Sequence, residues 1–182
     1  MSNLTIHVDR LHRAPLDLDV HLAPEELGLW DDQYDFTSPV RGTVTFRIVG
    51  HDILSHGQLT VQVRTECVRC LEQADFTVDV PVREVWMPSS ELDEQSTLPE
   101  DREDLTHPYQ GEEIDPTPVF RELLMAELPL HPHCSPACKG ICPGCGVNLN
   151  RSACRCTPTE QQGTPDTEPE WKRKLQRLKN EL

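Results

Sequence analysis

Residues 134–156 read CSPACKGICPGCGVNLNRSACRC and contain six of the eight cysteines of the chain. In the middle, Cys142-Pro-Gly-Cys145 places two thiols on a tight turn, and Gly146 lets the following backbone amide turn toward sulfur. Cys154 and Cys156 follow after an eight-residue loop and can complete a tetrahedral shell. A C-x-x-C motif followed by a second close cysteine pair is typical of structural zinc, so the sequence predicts zinc as the cofactor.

The eight cysteines can divide between two metal ions in two ways. In the sequence-local division one ion is held by Cys142, Cys145, Cys154 and Cys156, and the other by Cys67, Cys70, Cys134 and Cys138. In the alternative, as in zinc ribbons, the two C-x-x-C motifs share one ion, and the other ion is held by Cys134, Cys138, Cys154 and Cys156. In either division a metal ties the C-terminal cysteines to the C-x-x-C motif at residues 67–70, and this would compensate for a small core.

Disulfides and free buried thiols are the alternatives to metal. The first twenty residues alternate apolar with polar side chains and lack the continuous apolar stretch of an export signal. No apolar run approaches the roughly 20 residues that span a bilayer. The sequence therefore predicts a cytoplasmic protein without a membrane partner, in a compartment where disulfides are rare.

Charge is distributed unevenly along the 182 residues, whose formal net charge is -14. Residues 89–115 contain ten acidic residues and one arginine, and we interpret this segment as an acidic flexible loop. Residues 131–157 contain no acidic residue, and their three long basic side chains are Lys139, Arg151 and Arg155. The charge pattern therefore permits an RNA contact near the C-terminal end.

The fold class predicted from periodicity is α+β, with an antiparallel sheet packed by one main helix. Alternating apolar residues predict strands at residues 4–8, 16–20, 42–49, 58–64 and 76–86. Short polar links between the later strands favour an antiparallel meander, and Pro81 indicates an edge or a bulge. We expect a short helical turn after Pro24, Trp30 in the core, and a helix over residues 119–128 whose N-cap is Thr117 or Asp115.

The domain organisation follows from these segments. We predict an α+β domain at residues 1–130, a cysteine-rich metal-binding module with zinc knuckles at 131–157, and a linker with a short basic terminal helix at 158–182. Basic residues on that last helix are a candidate RNA contact.

Enzyme chemistry finds no support in the sequence. It contains no phosphate-binding glycine loop, H-E-x-x-H, G-x-S-x-G or dinucleotide fingerprint. A thioredoxin-like role for Cys67-Val-Arg-Cys70 would require a helix N-terminus in a βαβ setting, and the pattern around it predicts a hairpin instead. We therefore expect a protein without catalytic or organic cofactor-binding residues.

Several motifs together resemble the YceD-like family of bacterial proteins, which is linked to accumulation of large-subunit ribosomal RNA. The matching motifs are Cys67-Val-Arg-Cys70-Leu-Glu, Glu113-Ile-Asp115, Arg121-Glu122-Leu-Leu, Cys138-Lys-Gly-Ile-Cys142-Pro-Gly-Cys145-Gly-Val-Asn148-Leu-Asn150 and Cys154-Arg-Cys156. Near the C-terminus, Glu168-Pro-Glu-Trp171 departs from the D-P-R-W or D-P-R-L of the family. Some family members lack most C-terminal cysteines, which implies that metal serves stability.

The resemblance implies a cytoplasmic, non-enzymatic role in large ribosomal subunit biogenesis. The implied partner is ribosomal RNA or an assembling ribosomal particle. Two other functions are open: an adaptor that docks a basic ribosomal protein through the acidic segment 89–115, and a redox-sensing zinc switch.

Overall fold

The computed structural model describes residues 4–89 and 106–156, in which strands predominate over helices. In chain order the elements are β1 (Ile6–His7), α1 (Val8–Leu11), β2 (Leu16–Leu22), a 3-10 helix (Pro24–Leu27), β3 (Asp35–Phe36), β4 (Val40–Val49), β5 (Asp52–Glu66), β6 (Gln73–Pro88), β7 (Thr106–Tyr109), β8 (Glu113–Ile114) and α2 (Thr117–Ala126). The predicted α+β class is confirmed.

The main sheet has the strand order β2-β4-β5-β6-β7, and β3 pairs with β5 beside β4. Strands β4, β5 and β6 form the predicted antiparallel meander, with Val44 opposite Gly57 and Leu59 opposite Val80. These strands are longer than their apolar patterns, since β5 and β6 span 15 and 16 residues. Pro81 pairs only with β5, because β7 joins β6 further along, at Val85.

The interpretation of residues 89–115 as a loop is wrong for its C-terminal part. Residues 106–109 form β7, which pairs in parallel with β6, so the sheet is not wholly antiparallel. Residues 113–114 form β8, which pairs with β1. Residues 90–105, which carry most of the acidic side chains, lie outside the described residues.

The core lies between one face of the sheet and the helical segments. Alternate residues of β4 and β5 point inward, among them the fully buried Val44, Phe46 and Leu59. Helix α2 packs on β6 and on the 3-10 helix through Phe120 and Leu124, which are also fully buried. The predicted apolar stripe of this helix is therefore core.

Three local expectations need correction. Val8 belongs to helix α1, not to an N-terminal strand, and only Ile6 and His7 pair there. Trp30 is exposed and is no core anchor. Helix α2 ends at Ala126, two residues before the predicted end, and its N-cap is Pro116, not Asp115 or Thr117. Asp115 still accepts a hydrogen bond from the Thr117 amide at the start of the helix.

The chain divides into two compact units, Met1–Cys138 and Lys139–Leu182. The second unit is described here from residue 139 to residue 156, so the predicted linker and terminal helix at 158–182 lie outside the described residues. Within the described ranges, no helix has the length and apolar character needed to cross a bilayer.

Candidate metal centres

The first C-x-x-C motif forms a tight turn at the tip of the β5–β6 hairpin. Cys67 donates its amide to the Glu72 carbonyl at 2.8 Å, and its own carbonyl accepts the Leu71 amide at 2.9 Å. The Arg69 backbone N–H donates a hydrogen bond to the Cys67 sulfur, with a nitrogen–sulfur distance of 3.4 Å. The turn therefore directs backbone N–H groups toward a thiolate, as metal–thiolate sites require.

The second C-x-x-C motif repeats this turn residue for residue. The Cys142 amide donates to the Val147 carbonyl at 2.8 Å, and the Cys142 carbonyl accepts the Gly146 amide at 2.8 Å. The Gly144 amide lies 3.4 Å from the Cys142 sulfur. The two motifs thus form the same knuckle turn in their backbone geometry, although the first lacks glycine.

Two pairs of thiols meet in the first unit. The sulfurs of Cys67 and Cys138 are 3.8 Å apart, and those of Cys70 and Cys134 are 3.5 Å apart. All four sulfurs lie within 4.8 Å of one another. We call Cys67, Cys70, Cys134 and Cys138 the hairpin cluster.

The second unit contains the other four thiols. The Cys154 sulfur lies 3.2 Å from that of Cys142 and 3.5 Å from that of Cys145. With Cys156 these sulfurs also lie within 4.8 Å of one another. We call Cys142, Cys145, Cys154 and Cys156 the C-terminal cluster. The thiols thus come together according to the sequence-local division, and each cluster belongs to one unit.

The geometry of both clusters suits a tetrahedral metal ion. Zinc–sulfur bonds of about 2.3 Å in a tetrahedron place neighbouring sulfurs about 3.8 Å apart. Four sulfur pairs in the two clusters lie 3.2–3.8 Å apart, which is close to this value. All eight cysteines lie in the described part of the chain, and none of them is engaged in a disulfide. A β-carbon added at Gly144 would lie 3.4 Å from the Cys156 sulfur, so the turn leaves little spare space beside the thiols. Each cluster can hold a metal ion.

The thiols of the hairpin cluster differ in acidity. Burial raises the pKa of Cys67, but hydrogen bonds from the backbone amides of Cys134, Arg69 and Cys70 outweigh it and lower this pKa to about 6. Interaction with the Cys70 and Cys138 thiols raises the pKa of Cys134 to about 12. Backbone amide donors thus favour the ionised form of one thiol. The negative charge of that thiolate disfavours ionisation of the other thiols until a cation binds among them.

The same division of acidity occurs in the C-terminal cluster. Backbone amide donation from Cys145, with a hydrogen bond from the Cys154 thiol, lowers the pKa of Cys142 to about 6. Interaction with the Cys154 and Cys145 thiols raises the pKa of Cys156 to about 12. In both knuckles the low-pKa thiol is the first cysteine of the C-x-x-C motif.

The two clusters differ in exposure. In the hairpin cluster Cys67, Cys70 and Cys138 are buried and Cys134 is exposed, whereas in the C-terminal cluster only Cys142 is buried. The buried thiols pack with Ala74 and Phe76 beneath the hairpin tip. The guanidinium of Arg69 donates to the Cys138 carbonyl at 3.1 Å and ties the two sides of the cluster together.

Two asparagines shape the C-terminal cluster, and the sequence interpretation assigned them no role. The side-chain oxygen of Asn148 accepts a hydrogen bond from the Asn150 backbone amide at 2.9 Å. The backbone carbonyl of Asn148 accepts hydrogen bonds from the backbone amides of Arg151 and Ser152, each at 3.1 Å. The Asn150 side chain accepts the Lys139 amide at 2.8 Å. These bonds turn the chain back toward the second C-x-x-C motif. The sequence signal for this role is a pair of asparagines, two residues apart, that follows a turn with glycine.

The structure bears on two alternatives to a metal site with four cysteine ligands, namely a thioredoxin-like redox pair and metal binding by histidine. Cys67-Val-Arg-Cys70 lies between two strands, not at the helix N-terminus that lowers a thiol pKa in thioredoxin-like proteins. His131 and His133, which flank the hairpin cluster in sequence, are not among its four grouped ligands.

Comparisons with known proteins agree with these motifs. The model of the family described as large ribosomal RNA subunit accumulation protein YceD matches residues 55–179. An uncharacterized protein of Mycobacterium tuberculosis is 30% identical over 154 residues, which cover 81% of this chain and 72% of the relative. No solved structure matches the chain.

Two plant proteins match a shorter stretch. Both are named large ribosomal RNA subunit accumulation protein YCED homolog 1, chloroplastic. The protein from Zea mays is 42% identical over 65 residues, which cover 35% of this chain and 22% of the relative. The protein from Arabidopsis thaliana is 40% identical over 62 residues, which cover 34% of this chain and 19% of the relative. The family match covers well over half of the chain, which therefore belongs to the YceD family of large ribosomal RNA subunit accumulation proteins.

Proposed function

We propose that this protein assists accumulation of large-subunit ribosomal RNA by binding the RNA or an assembling large-subunit particle, and that two structural zinc ions stabilise it. The family match carries the first part, since its description names the large ribosomal RNA subunit. The two sets of four thiols carry the second, since four thiolates in a closed tetrahedron are a structural zinc shell without an open position for catalysis.

Zinc in the hairpin cluster would join segments that are far apart in sequence. Cys134 and Cys138 follow helix α2, whereas Cys67 and Cys70 form the hairpin tip, 64 to 71 residues earlier. The metal would close this long loop inside the first unit and fix the end of a two-stranded hairpin. Its proposed role is therefore structural.

Exposed basic residues of the second unit support RNA contact. Lys139, Arg151 and Arg155 are exposed, and no acidic residue lies between residues 131 and 157. A zinc ion with four thiolates carries a charge of about -2, which the three cations outweigh. Basic side chains on one small unit provide the local positive potential that attracts phosphate.

Ultraviolet crosslinking in cells, followed by sequencing of the attached RNA, tests this proposal. We expect enrichment at discrete positions of large-subunit ribosomal RNA. A variant with Lys139→Gln and Arg155→Gln should lose most of this signal, because both side chains are exposed and basic. The matched control, Arg10→Gln with Arg13→Gln, removes two exposed cations from the first unit and should crosslink normally.

A variant that ends at residue 156 tests the basic terminal segment in the same experiment. Loss of crosslinking in this variant alone would assign RNA contact to residues 157–182. Background crosslinking in every variant, including the unmodified chain, would contradict direct RNA binding. It would favour the adaptor function, in which the acidic segment 89–115 docks a basic ribosomal protein.

We also infer a cytoplasmic, non-catalytic protein. The family is named for accumulation of ribosomal RNA, not for a reaction, and ribosome assembly takes place in a reducing compartment that keeps thiols available to metal. Transfer of the protein to an oxidising compartment should therefore lower its metal content.

A further inference from the structure

Four exposed apolar side chains surround two adjacent grooves on the first unit. Leu130, Trp30, Leu71 and Val68 are 91%, 70%, 61% and 52% exposed. One groove, of about 690 Å³, is lined by Val68, Leu71 and Leu130, and the other, of about 670 Å³, by Trp30 and Leu130. The grooves share Leu130 and form one surface, which we call the Leu130 surface.

The Leu130 surface is acidic as well as apolar. Four carboxylates line it, those of Asp31, Asp32, Asp35 and Glu66. They outnumber the two arginines that line these grooves, and one of the two is already paired with a carboxylate outside the surface. Arg64 pairs with Asp75 at 2.7 Å, and Arg121 donates to the Gly28 carbonyl at 2.9 Å. The carboxylates are therefore in excess, and the surface attracts cations and repels phosphates.

The backbone beneath this surface is already fixed. The Val68 amide donates to the Pro132 carbonyl at 2.9 Å, which attaches the hairpin tip to the segment that carries Leu130. The buried Tyr34 hydroxyl donates to the Pro129 carbonyl and attaches the same segment to the loop after Trp30. A partner would therefore meet a preformed surface and would lose little binding energy to ordering it.

We propose that the Leu130 surface docks a lysine- or arginine-rich segment of a partner protein, whose apolar side chains pack on Leu130 and Trp30. The carboxylates select a cationic peptide and exclude an RNA backbone. A second copy of this chain is a poor occupant, since its net charge is also -14. The inference concerns the first unit and does not depend on RNA contact by the second.

Selection from a random library tests the proposal with the whole zinc-loaded protein. The probe is a phage-displayed library of random twelve-residue peptides. Enriched peptides should combine several Lys or Arg residues with Leu, Phe or Trp. A chosen peptide is then made with a fluorescent label, and its affinity is measured by anisotropy at low and high salt. Added salt should weaken binding, because exposed charges contribute.

Variants then locate the binding. Leu130→Ser should weaken the labelled peptide about tenfold, because packing on a leucine is lost. Asp32→Asn combined with Asp35→Asn should weaken it about threefold and reduce the effect of salt. All three side chains are exposed, so the fold should tolerate the changes. Val49→Ser and Asp9→Asn remove an exposed apolar and an exposed acidic group that do not line either groove, and both should bind normally.

Three results would overturn the proposal. The first is a library that yields no enriched peptide, or acidic ones. The second is a selected peptide whose affinity Leu130→Ser leaves unchanged. The third is loss of self-association, or of binding to a twenty-nucleotide uridine RNA, in the Leu130→Ser variant, since either would assign the surface to another occupant.

Discussion

Leu71 and Gly146 occupy the same position in two copies of one turn. Each follows the second cysteine of a C-x-x-C motif and donates its amide to the carbonyl of the first, Cys67 or Cys142. Each also has a positive φ, 59° for Leu71 and 71° for Gly146. Glycine adopts this conformation freely, whereas leucine pays a steric penalty of about 1–2 kcal/mol.

Replacing Leu71 by glycine should therefore stabilise the first unit. The side chain is largely exposed, so its removal costs little burial. The free energy gained by relief of the strain exceeds the free-energy cost of the extra conformational entropy that glycine gives the unfolded chain. We therefore expect the free energy of unfolding to rise by about 0.5 kcal/mol. Urea unfolding of the zinc-loaded protein, followed by tryptophan fluorescence, measures the change.

The reciprocal variant, Gly146→Ala, is the control for this reasoning. It introduces the same strain into the second knuckle and should cost about 1 kcal/mol, or about a fivefold loss of zinc affinity for the C-terminal cluster. Competition with a chelator measures that affinity. A clear loss of stability in Leu71→Gly would show that the leucine side chain contributes more than its backbone costs.

Each cluster should bind one zinc ion independently of the other. The ligands of the hairpin cluster lie in the first unit and those of the C-terminal cluster in the second. Cys67→Ser and Cys142→Ser should each reduce the zinc content from two ions per chain to one, and the double variant should contain none. Elemental analysis by mass spectrometry of the purified proteins gives these numbers.

Loss of the two ions should have different effects on folding. Structural zinc contributes about 10–16 kcal/mol of apparent binding free energy in small zinc domains. Cys67→Ser should therefore lower the melting temperature of the first unit strongly, whereas Cys142→Ser should leave that transition unchanged. If Cys142→Ser keeps two zinc ions, the assignment of its cluster is wrong.

The two ions should also leave at different rates. Three thiols of the hairpin cluster are buried, whereas three of the C-terminal cluster are at least partly exposed. A coloured chelator in excess should therefore extract zinc in a fast and a slow phase. Cys142→Ser should remove the fast phase and Cys67→Ser the slow one. A single phase for the unmodified protein would mean that exposure of the thiols does not control release.

Much of the sheet could be predicted because apolar and polar side chains alternate along its individual strands. In β4 the buried Val44 and Phe46 alternate with more exposed neighbours, so the sequence of this strand alone indicates which of its faces is buried. The strand β7 could not be found in this way. Its residues, THPY, have no apolar alternation, and its partner Val85 lies some twenty residues away, so the pairing depends on tertiary structure.

The cysteine motifs predicted candidate ligands but not their partners. Spacing identifies two knuckles, yet the approach of Cys134 to Cys70 depends on where the chain goes after α2. The exposure of Trp30 has a similar origin, since nothing in the local pattern reveals that the residue lies outside the core. Residues whose environment is set by distant segments are the ones that sequence reasoning missed.

Two glycines on the inner face of the sheet should be the least replaceable in the first unit. A β-carbon on Gly57 would lie 2.1 Å from the Thr43 carbonyl oxygen, and one on Gly42 would lie 2.0 Å from that of Gln58. Both obstacles are backbone atoms of a paired strand, which cannot rotate away as a side chain can. We expect Gly57→Ala to lower the free energy of unfolding by about 3 kcal/mol.

Gly50→Ala separates this steric effect from the effect of backbone conformation. Gly50 has a φ of 68° and no atom within 4 Å of an added β-carbon, so alanine there should cost only about 1 kcal/mol. Urea unfolding of the three proteins measures both changes. Equal losses at the two positions would mean that β4 and β5 can separate slightly at Gly57, and that the close approach of their backbones is not what requires glycine there.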